Sequence, residues 1–278
     1  MSLLLGMEKM ENNKKIFAGI DIGSMTTKCV IVDQDDFHDS IVLQTESDPK
    51  TAGINALESL LDKNGIERAD VSYILGTGYG RISLDFFDHT ATELTCHAAG
   101  VRKVNPGVEG IIDIGGQDSK AIKLKPDGSI LDFVLNDRCA AGTGRFLEVM
   151  ARALKLDMEE FGSLYEKSQK PCTISSTCIV FAESEVISLS AQGESKTDIA
   201  AGLQQSIAKR VGNMAKRVGI KENIAFVGGV AKNKGMRRAL EDYMGIKFIS
   251  LSTDPQITGA LGAAVIARDQ FHKKRIEK

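Results

Sequence analysis

A chain of 278 residues, 42% hydrophobic and 26% charged, has room for one large domain or two moderate ones with sizeable cores. Its formal net charge of −2, with acidic and basic residues mixed along the chain, argues against nucleic acid, which favours a basic patch or stripe. No apolar run approaches the roughly 18–20 residues needed to cross a bilayer, so a cytoplasmic protein with no membrane partner is expected.

Residues 1–15, MSLLLGMEKMENNKK, have too short an apolar stretch for a secretory signal and read as a disordered leader whose biological start is Met1, Met7 or Met10. FAGIDIG and KCVIV, two apolar runs about a glycine turn, predict a β-hairpin. The strand SIVLQTE, the helix NALESLLDKNG and the strand VSYILGTG follow. GTGYGR (76–81) has glycines at the wrong spacing for a dinucleotide fingerprint and reads as a turn. ELTCHAAG reads as helix, with His97 a packed histidine.

GIIDIG and KAIKL then predict a second hairpin, and IDIGSMTTK (20–28) is echoed by IDIGGQDSK (112–120). The two copies lie too far apart for a solenoid, whose periods run about 20–50 residues, and suggest two related α/β halves. SILDFVLN reads as a strand, with a helix from about Arg145 to Leu156. In AESEV (182–186), Glu183 and Glu185 face apart on a helix and form no carboxylate pair. Ile199, Leu203, Ile207, Val211 and Met214 fall at helical spacing; the basic residues Lys209, Arg210, Lys216 and Arg217 of the same helix read as a solvated face. IAFVGGV (strand and glycine turn), a helix through MRRALEDYM, the strand IKFISL and a last helix through GALGAAVIAR complete the chain. No Pro- or Ser-rich linker divides it, and a border near residue 100 separates units 16–100 and 101–278.

In each DIG an aspartate ends a strand and a glycine lets the next turn approach a ligand. Asp21 and Asp113, converging from two halves, could hold a hydrated Mg²⁺, which typically needs only one or two carboxylates plus phosphate oxygens. Ser24, Thr26, Thr27 and Lys28 would add donors for phosphate. Either DIG alone reads as a strand end with a tight turn; two copies together with VGGVAKNKG (227–235) favour a nucleotide.

DIGSMTTK, DIGGQDSK and FVGGVAKNKG, in that order, resemble the phosphate-1, phosphate-2 and adenosine motifs of the actin, sugar kinase and heat-shock chaperone ATPase fold. Within it, GTGYGR, TELTCHAAG, NDRCAAGTGRFLEVMA, SSTCIVFAESEVIS and the GALGAA tail resemble the BadF/BadG/BcrA/BcrD ATPase family, which includes activators of 2-hydroxyacyl-CoA dehydratases, over about residues 16–268. The resemblance implies an α/β fold of two RNase H-like (actin-like ATPase) domains closing on ATP or ADP with Mg²⁺ in the cleft between them. It places Gly23 with Gly115 and Gly116 at the phosphate turns, Gly142, Thr143 and Gly144 near phosphate, and Gly228, Gly229 and Asn233 at the adenosine. Glu93 and Gln117 are the two candidates for orienting the attacking water.

Five cysteines without a secretion signal argue against a disulfide scaffold. Cys29 and Cys96, in apolar or helical surroundings, read as small buried hydrophobes. Cys139 and Cys178 lie in loops before helical segments, with Ser175, Ser176 and Thr177 as turn or capping groups. A [4Fe–4S] cluster wants four thiolates, so two per chain suffice only if a second copy supplies two more across a twofold axis. The family resemblance implies that arrangement, carried onto Cys139 and Cys178. Buried structural thiols, a zinc site using Cys139, Cys172, Cys178 and a histidine, and a two-cysteine redox switch are the alternatives. The resemblance further implies a homodimer that takes one electron from reduced ferredoxin or flavodoxin and passes it, with ATP hydrolysis, to an iron–sulfur dehydratase or reductase. A small-molecule kinase of the same fold and a non-redox nucleotide switch are the competing readings.

Overall fold

The computed structural model describes residues 15–34, 37–176 and 178–276. The leader reading, apart from Lys15, and the capping role of Thr177 lie outside them.

The first unit is built from β1 (Ile16–Ile22), β2 (Thr26–Val32), β3 (Phe37–Gln44), α1 (Pro49–Asn64), β4 (Val71–Thr77) and β5 (His89–Thr90). Its sheet runs β3-β2-β1-β4-β5, antiparallel from β1 to β3 and parallel between β1 and β4. Every residue of β1 is buried because both faces are covered. Ala18, Ile20 and Ile22 pack with the α1 leucines on one face, and Phe17 joins the opposite core, as the two-residue side-chain period of a strand dictates.

After α2 (Glu93–Val104) the pattern repeats in β6 (Gly110–Ile114), β7 (Ser119–Leu124) and β8 (Ile130–Asn136). The helices α3 (Gly144–Ala153), α4 (Met158–Ser163), α5 (Ile179–Ala191) and α6 (Lys196–Arg217) come next, then β9 (Ile224–Val227), α7 (Lys234–Met244) and α8 (Thr258–Ile276). The second sheet, β8-β7-β6-β9, has the same directions as the first. Its register is the same too: Asp21 pairs with Lys28 and Asp113 with Lys120, while Thr77 and Val227 occupy equivalent places on the parallel neighbour. The expected pair of RNase H-like halves is therefore present, with the helices α3 to α7 of the second half packed on one outer core.

α2 and α8 lie side by side between the sheets. α8 covers the first sheet, its alanines packing with Phe17, Val30, Tyr73 and Leu75, whereas Ala98 and Val101 of α2 face the second through Ile111, Ile122, Ala225 and Val227. Residues 258–276 thus pack with the first sheet. The return is built on glycine: a Cβ at Gly262 would collide with the Cys96 carbonyl, and one at Gly100 with the Thr258 carbonyl. Because the obstacle is helix backbone, it cannot swing aside like a side chain. Gly262→Ala is expected to lower the melting temperature by about 3–10 °C by overpacking; a wild-type melting curve in scanning calorimetry would show that the crossing can relax.

IKFISL is not a strand. Among the described residues one backbone bond outside the ladders, Ile249 N to Ile224 O at 3.0 Å, joins the run to β9. Its apolar side chains serve the core instead, Phe248 being buried against Phe226.

Candidate functional site

Both hairpin turns open on one cleft of about 870 Å³. Gly23, Ser24, Thr26 and Lys28 line it from the first half, and Gly115, Gly116 and Gln117 from the second. Glu93, Gly144, Gly228, Gly229 and Asn233 also reach it, together with Asp21 and Asp113. Thr27 does not: strand alternation turns it to the other face of β2, where its hydroxyl shares a 3.0 Å hydrogen bond with Thr45. Gly142 and Thr143 are also outside the lining. Gly142 backs onto Arg210 and Val211, and the Thr143 hydroxyl donates to Ala140 O at 2.7 Å.

The two aspartates have matched surroundings. Lys28 Nζ lies 3.1 Å from Asp21 Oδ2, and Lys120 Nζ lies 3.1 Å from Asp113 Oδ2. Each carboxylate sits under a glycine with φ of 86°, Gly78 for Asp21 and Gly228 for Asp113, and a Cβ on either would run into that carboxylate. GTGYGR is a turn, as its glycines suggest, and is the first half's copy of the VGGVAK turn. A positive-φ glycine after the parallel strand is what lets the backbone close over a buried acid.

Around Asp113 the charges form a network. Lys120 also contacts Asp118 at 2.7 Å and Glu93 at 2.8 Å, and His97 Nε2 lies 3.4 Å from Asp113. Burial pushes the Asp113 carboxyl up, but Lys120 and His97 outweigh it and hold it below the usual carboxylate range. Burial disfavours the Lys120 charge, and the three carboxylates overcome that and hold its proton far more tightly than usual. The site therefore keeps fixed charges of both signs out of bulk water, where they act on a polyanion with little screening.

Three participants escaped the sequence reading. Lys120 occupies the place of Lys28 in the repeat, a signal that was available. His97 is more than packing: its Nδ1 shares a 3.1 Å hydrogen bond with Thr258 Oγ1, linking Asp113 to the start of α8. Gln256 spans the cleft, donating to Thr26 Oγ1 at 3.3 Å and accepting from Lys232 Nζ at 3.2 Å. At the far end, Asn233 caps α7 through Oδ1, and its Nδ2 is buried with no partner among the described residues, beside Gly162 of α4. An orphaned donor in a slot lined by Met158 and Gly162 suits the edge of a base or a ribose oxygen.

Cys139 is half-buried in the loop before α3, and Cys178 is exposed at the N-cap of α5, with no cap bond from its side chain. α3 and α5 pack together, and Phe146, Leu147, Met150, Ala182 and Val186 are buried in one core. Glu185 accepts from Ser175 N, Ser176 N and Ser175 Oγ at 2.8–2.9 Å, pinning the segment that leads to Cys178. Burial pushes the Cys96 thiol up to about 12 and Cys29 higher still, as expected for inert core thiols. Cys172 is raised by burial and by Glu194, which lies 3.7 Å from its sulfur. Among the described residues no group of three or more His, Cys, Asp and Glu is gathered to hold a metal ion. Arg210 departs from the solvated face assigned to it: its Nη2 donates to Asn136 Oδ1 at 3.2 Å behind the Cys139 loop.

The profile of the BadF/BadG/BcrA/BcrD ATPase family matches residues 18–267. The 2-hydroxyisocaproyl-CoA dehydratase activator of Clostridioides difficile is 44% identical, the alignment covering 93% of this chain and 97% of that one. The (R)-2-hydroxyglutaryl-CoA dehydratase activating ATPase of Acidaminococcus fermentans is 43% identical over 90% of this chain and 95% of its own. Among solved structures, the Clostridium difficile 2-hydroxyisocaproyl-CoA dehydratase activator with bound ADPNP superimposes with a TM-score of 0.88, covering 95% of this chain and 98% of that one at 44% identity.

Proposed function

The chain belongs to the BadF/BadG/BcrA/BcrD ATPase family, and from that premise we propose that it is an ATP-driven electron-transfer activator of an iron–sulfur CoA-ester dehydratase or reductase. Reduced ferredoxin or flavodoxin is its donor, and two copies of the chain form the working unit. ATP lies in the cleft with its phosphates between the two DIG turns. Asp21 and Asp113 are the residues that would hold a hydrated Mg²⁺, which when bound would neutralise charge on the transferred phosphoryl group. Lys28 and Lys120 hold those acids in place, each at 3.1 Å, and Lys120 with His97 keeps Asp113 ionised. Gln117, exposed in the cleft, is free to orient water, whereas Glu93 is engaged by Lys120 through Oε2.

The donor set fits half of a cluster. Cys139 and Cys178 precede two packed helices, and four such sulfurs from two copies make the ligand count of a [4Fe–4S] cluster, which would carry one electron. The exposed apolar side chains Val180, Phe181 and Ile187 of α5, beside Cys178, favour a face covered by a second copy. Among the described residues no helix is long and apolar enough to span a membrane.

One observation carries the reading. Gly144 N and Arg145 N donate to Gly115 O and Gly116 O, both at 2.8 Å, so the turn that meets phosphate is bonded directly to the start of the helix after Cys139. The deciding measurement is iron and acid-labile sulfide on anaerobically purified protein sized by light scattering. About two iron atoms per chain in a dimer is the expected result. An iron-free protein that reconstitution cannot load would hand the site to a kinase or a nucleotide switch.

A further inference from the structure

We propose that Asn136 and Arg210 form a positioning clamp that couples the nucleotide-sensing turn to Cys139, an inference that rests on the activator reading and extends it to two residues outside the cleft lining. The loop 137–143 leaves the end of β8 and enters α3. Its far side is tied to the phosphate turn by the Gly144 and Arg145 amides. Its near side is held by Asn136, whose Nδ2 donates to Cys139 O at 2.9 Å and Ala141 O at 2.8 Å. Those two loop carbonyls are its nearest acceptors, with Ser119 Oγ farther off at 3.4 Å.

Arg210 sets the orientation of that amide. Its Nη2 donates to Asn136 Oδ1 at 3.2 Å, fixing which end of the asparagine faces the loop. Its stem packs beneath Gly142, whose φ of 90° lets the chain turn there; a Cβ at Gly142 would lie 3.2 Å from Arg210 Cδ. The Nε of Arg210 is buried with no hydrogen-bond partner among the described residues. A guanidinium with a spare buried donor beside a loop of backbone carbonyls has a second bonding arrangement open to it. A displaced loop can be re-bonded rather than released, which is the property of a two-position element.

The internal repeat shows that the clamp is particular to the half that bears the cysteine. Thr27 and Ser119 are equivalent in the two hairpins; Thr27 pairs with Leu43 and Ser119 with Asn136. The first half therefore has an apolar residue where the second has the clamp. There the chain leaving β3 bonds the phosphate-1 turn directly, Thr45 Oγ1 donating to Gly23 O at 2.7 Å. In the second half the seven-residue loop is interposed, and Asn136 and Arg210 hold it.

The test reads the thiol and needs no cluster. In the full-length Cys172→Ser/Cys178→Ser chain Cys139 is the only cysteine that is not buried. Its alkylation by iodoacetamide is followed by intact mass with ADP or with a non-hydrolysable ATP analogue. The two rates are expected to differ about fivefold or more, the scale of ordinary site-to-site coupling. Arg210→Met keeps the packing under Gly142 but removes the donors, and should bring the ratio to about one while ATP hydrolysis stays within about threefold. Arg210→Lys, which keeps a donor, should restore part of the difference. Asn136→Asp provides a second variant should Arg210→Met fold poorly; it removes both carbonyl bonds and should give fast alkylation in both states. A parent chain with equal rates, or variants that keep its full difference, would overturn the clamp. Iron content tests the activator reading separately, so failure of one is distinguishable from failure of the other.

Discussion

Asp113→Asn is expected to cut ATP hydrolysis by about 10²–10³-fold, the range lost when one preorganised electrostatic group is removed from a reacting centre. The substitution keeps shape and volume and deletes one charge. Folding should survive, because Lys120 retains Asp118 at 2.7 Å and Glu93 at 2.8 Å and is not left as an unpaired buried cation. Binding of ADP without metal should change by only a few-fold, since the phosphate-facing amides and Lys28 are untouched. Phosphate release at saturating ATP, with ADP affinity by calorimetry alongside, separates the two effects. Hydrolysis within threefold of wild type would reduce Asp113 to an anchor for Lys120 and His97 and shift the metal role to Asp21 alone.

Cys178→Ser is expected to yield a protein that hydrolyses ATP at close to the wild-type rate but loses essentially all bound iron and with it the activation of any dehydratase or reductase. Cys178 is exposed and makes no side-chain cap bond, so nothing in the fold depends on its sulfur. Serine is a good N-cap and leaves α5 in place. The loss falls on the ligand count alone: one substitution per chain removes two of four thiolates from the proposed site shared by two copies. Iron, sulfide and the visible absorption of the purified variant, measured beside its ATPase rate, check the split. Full iron with intact colour would remove Cys178 from the ligand set and leave Cys172 as the alternative, although burial and Glu194 hold that thiol up. Loss of both activities would mean that α5 carries more of the fold than its exposed apolar face suggests.

Much of this was legible in the residues. The echo of IDIGSMTTK in IDIGGQDSK announced two halves, and the structure repeats it down to the Asp21–Lys28 and Asp113–Lys120 pairs. Apolar periodicity found the hairpins and the long α6, because burial on one face leaves its period in the sequence. The same signal misled at IKFISL, where apolar alternation served core packing without a neighbour to complete a ladder. It misled again at Arg210, since a helix's polar residues look alike whether they meet water or a neighbouring loop.

The sequence by itself determined the two hairpins and the long α6, the paired acid turns and the presence of thiols beside a glycine loop, all of which depend on residues close together in the chain. Tertiary structure alone decided that α8 returns to the first sheet, that His97 and Gln256 belong to the cleft, and that Asn136 and Arg210 hold the cysteine loop. Each of those contacts joins residues far apart in sequence, from Asn136 to Arg210 and from His97 to Thr258. Such pairs leave no period to read, because what brings them together is the burial of whole faces of sheet and helix.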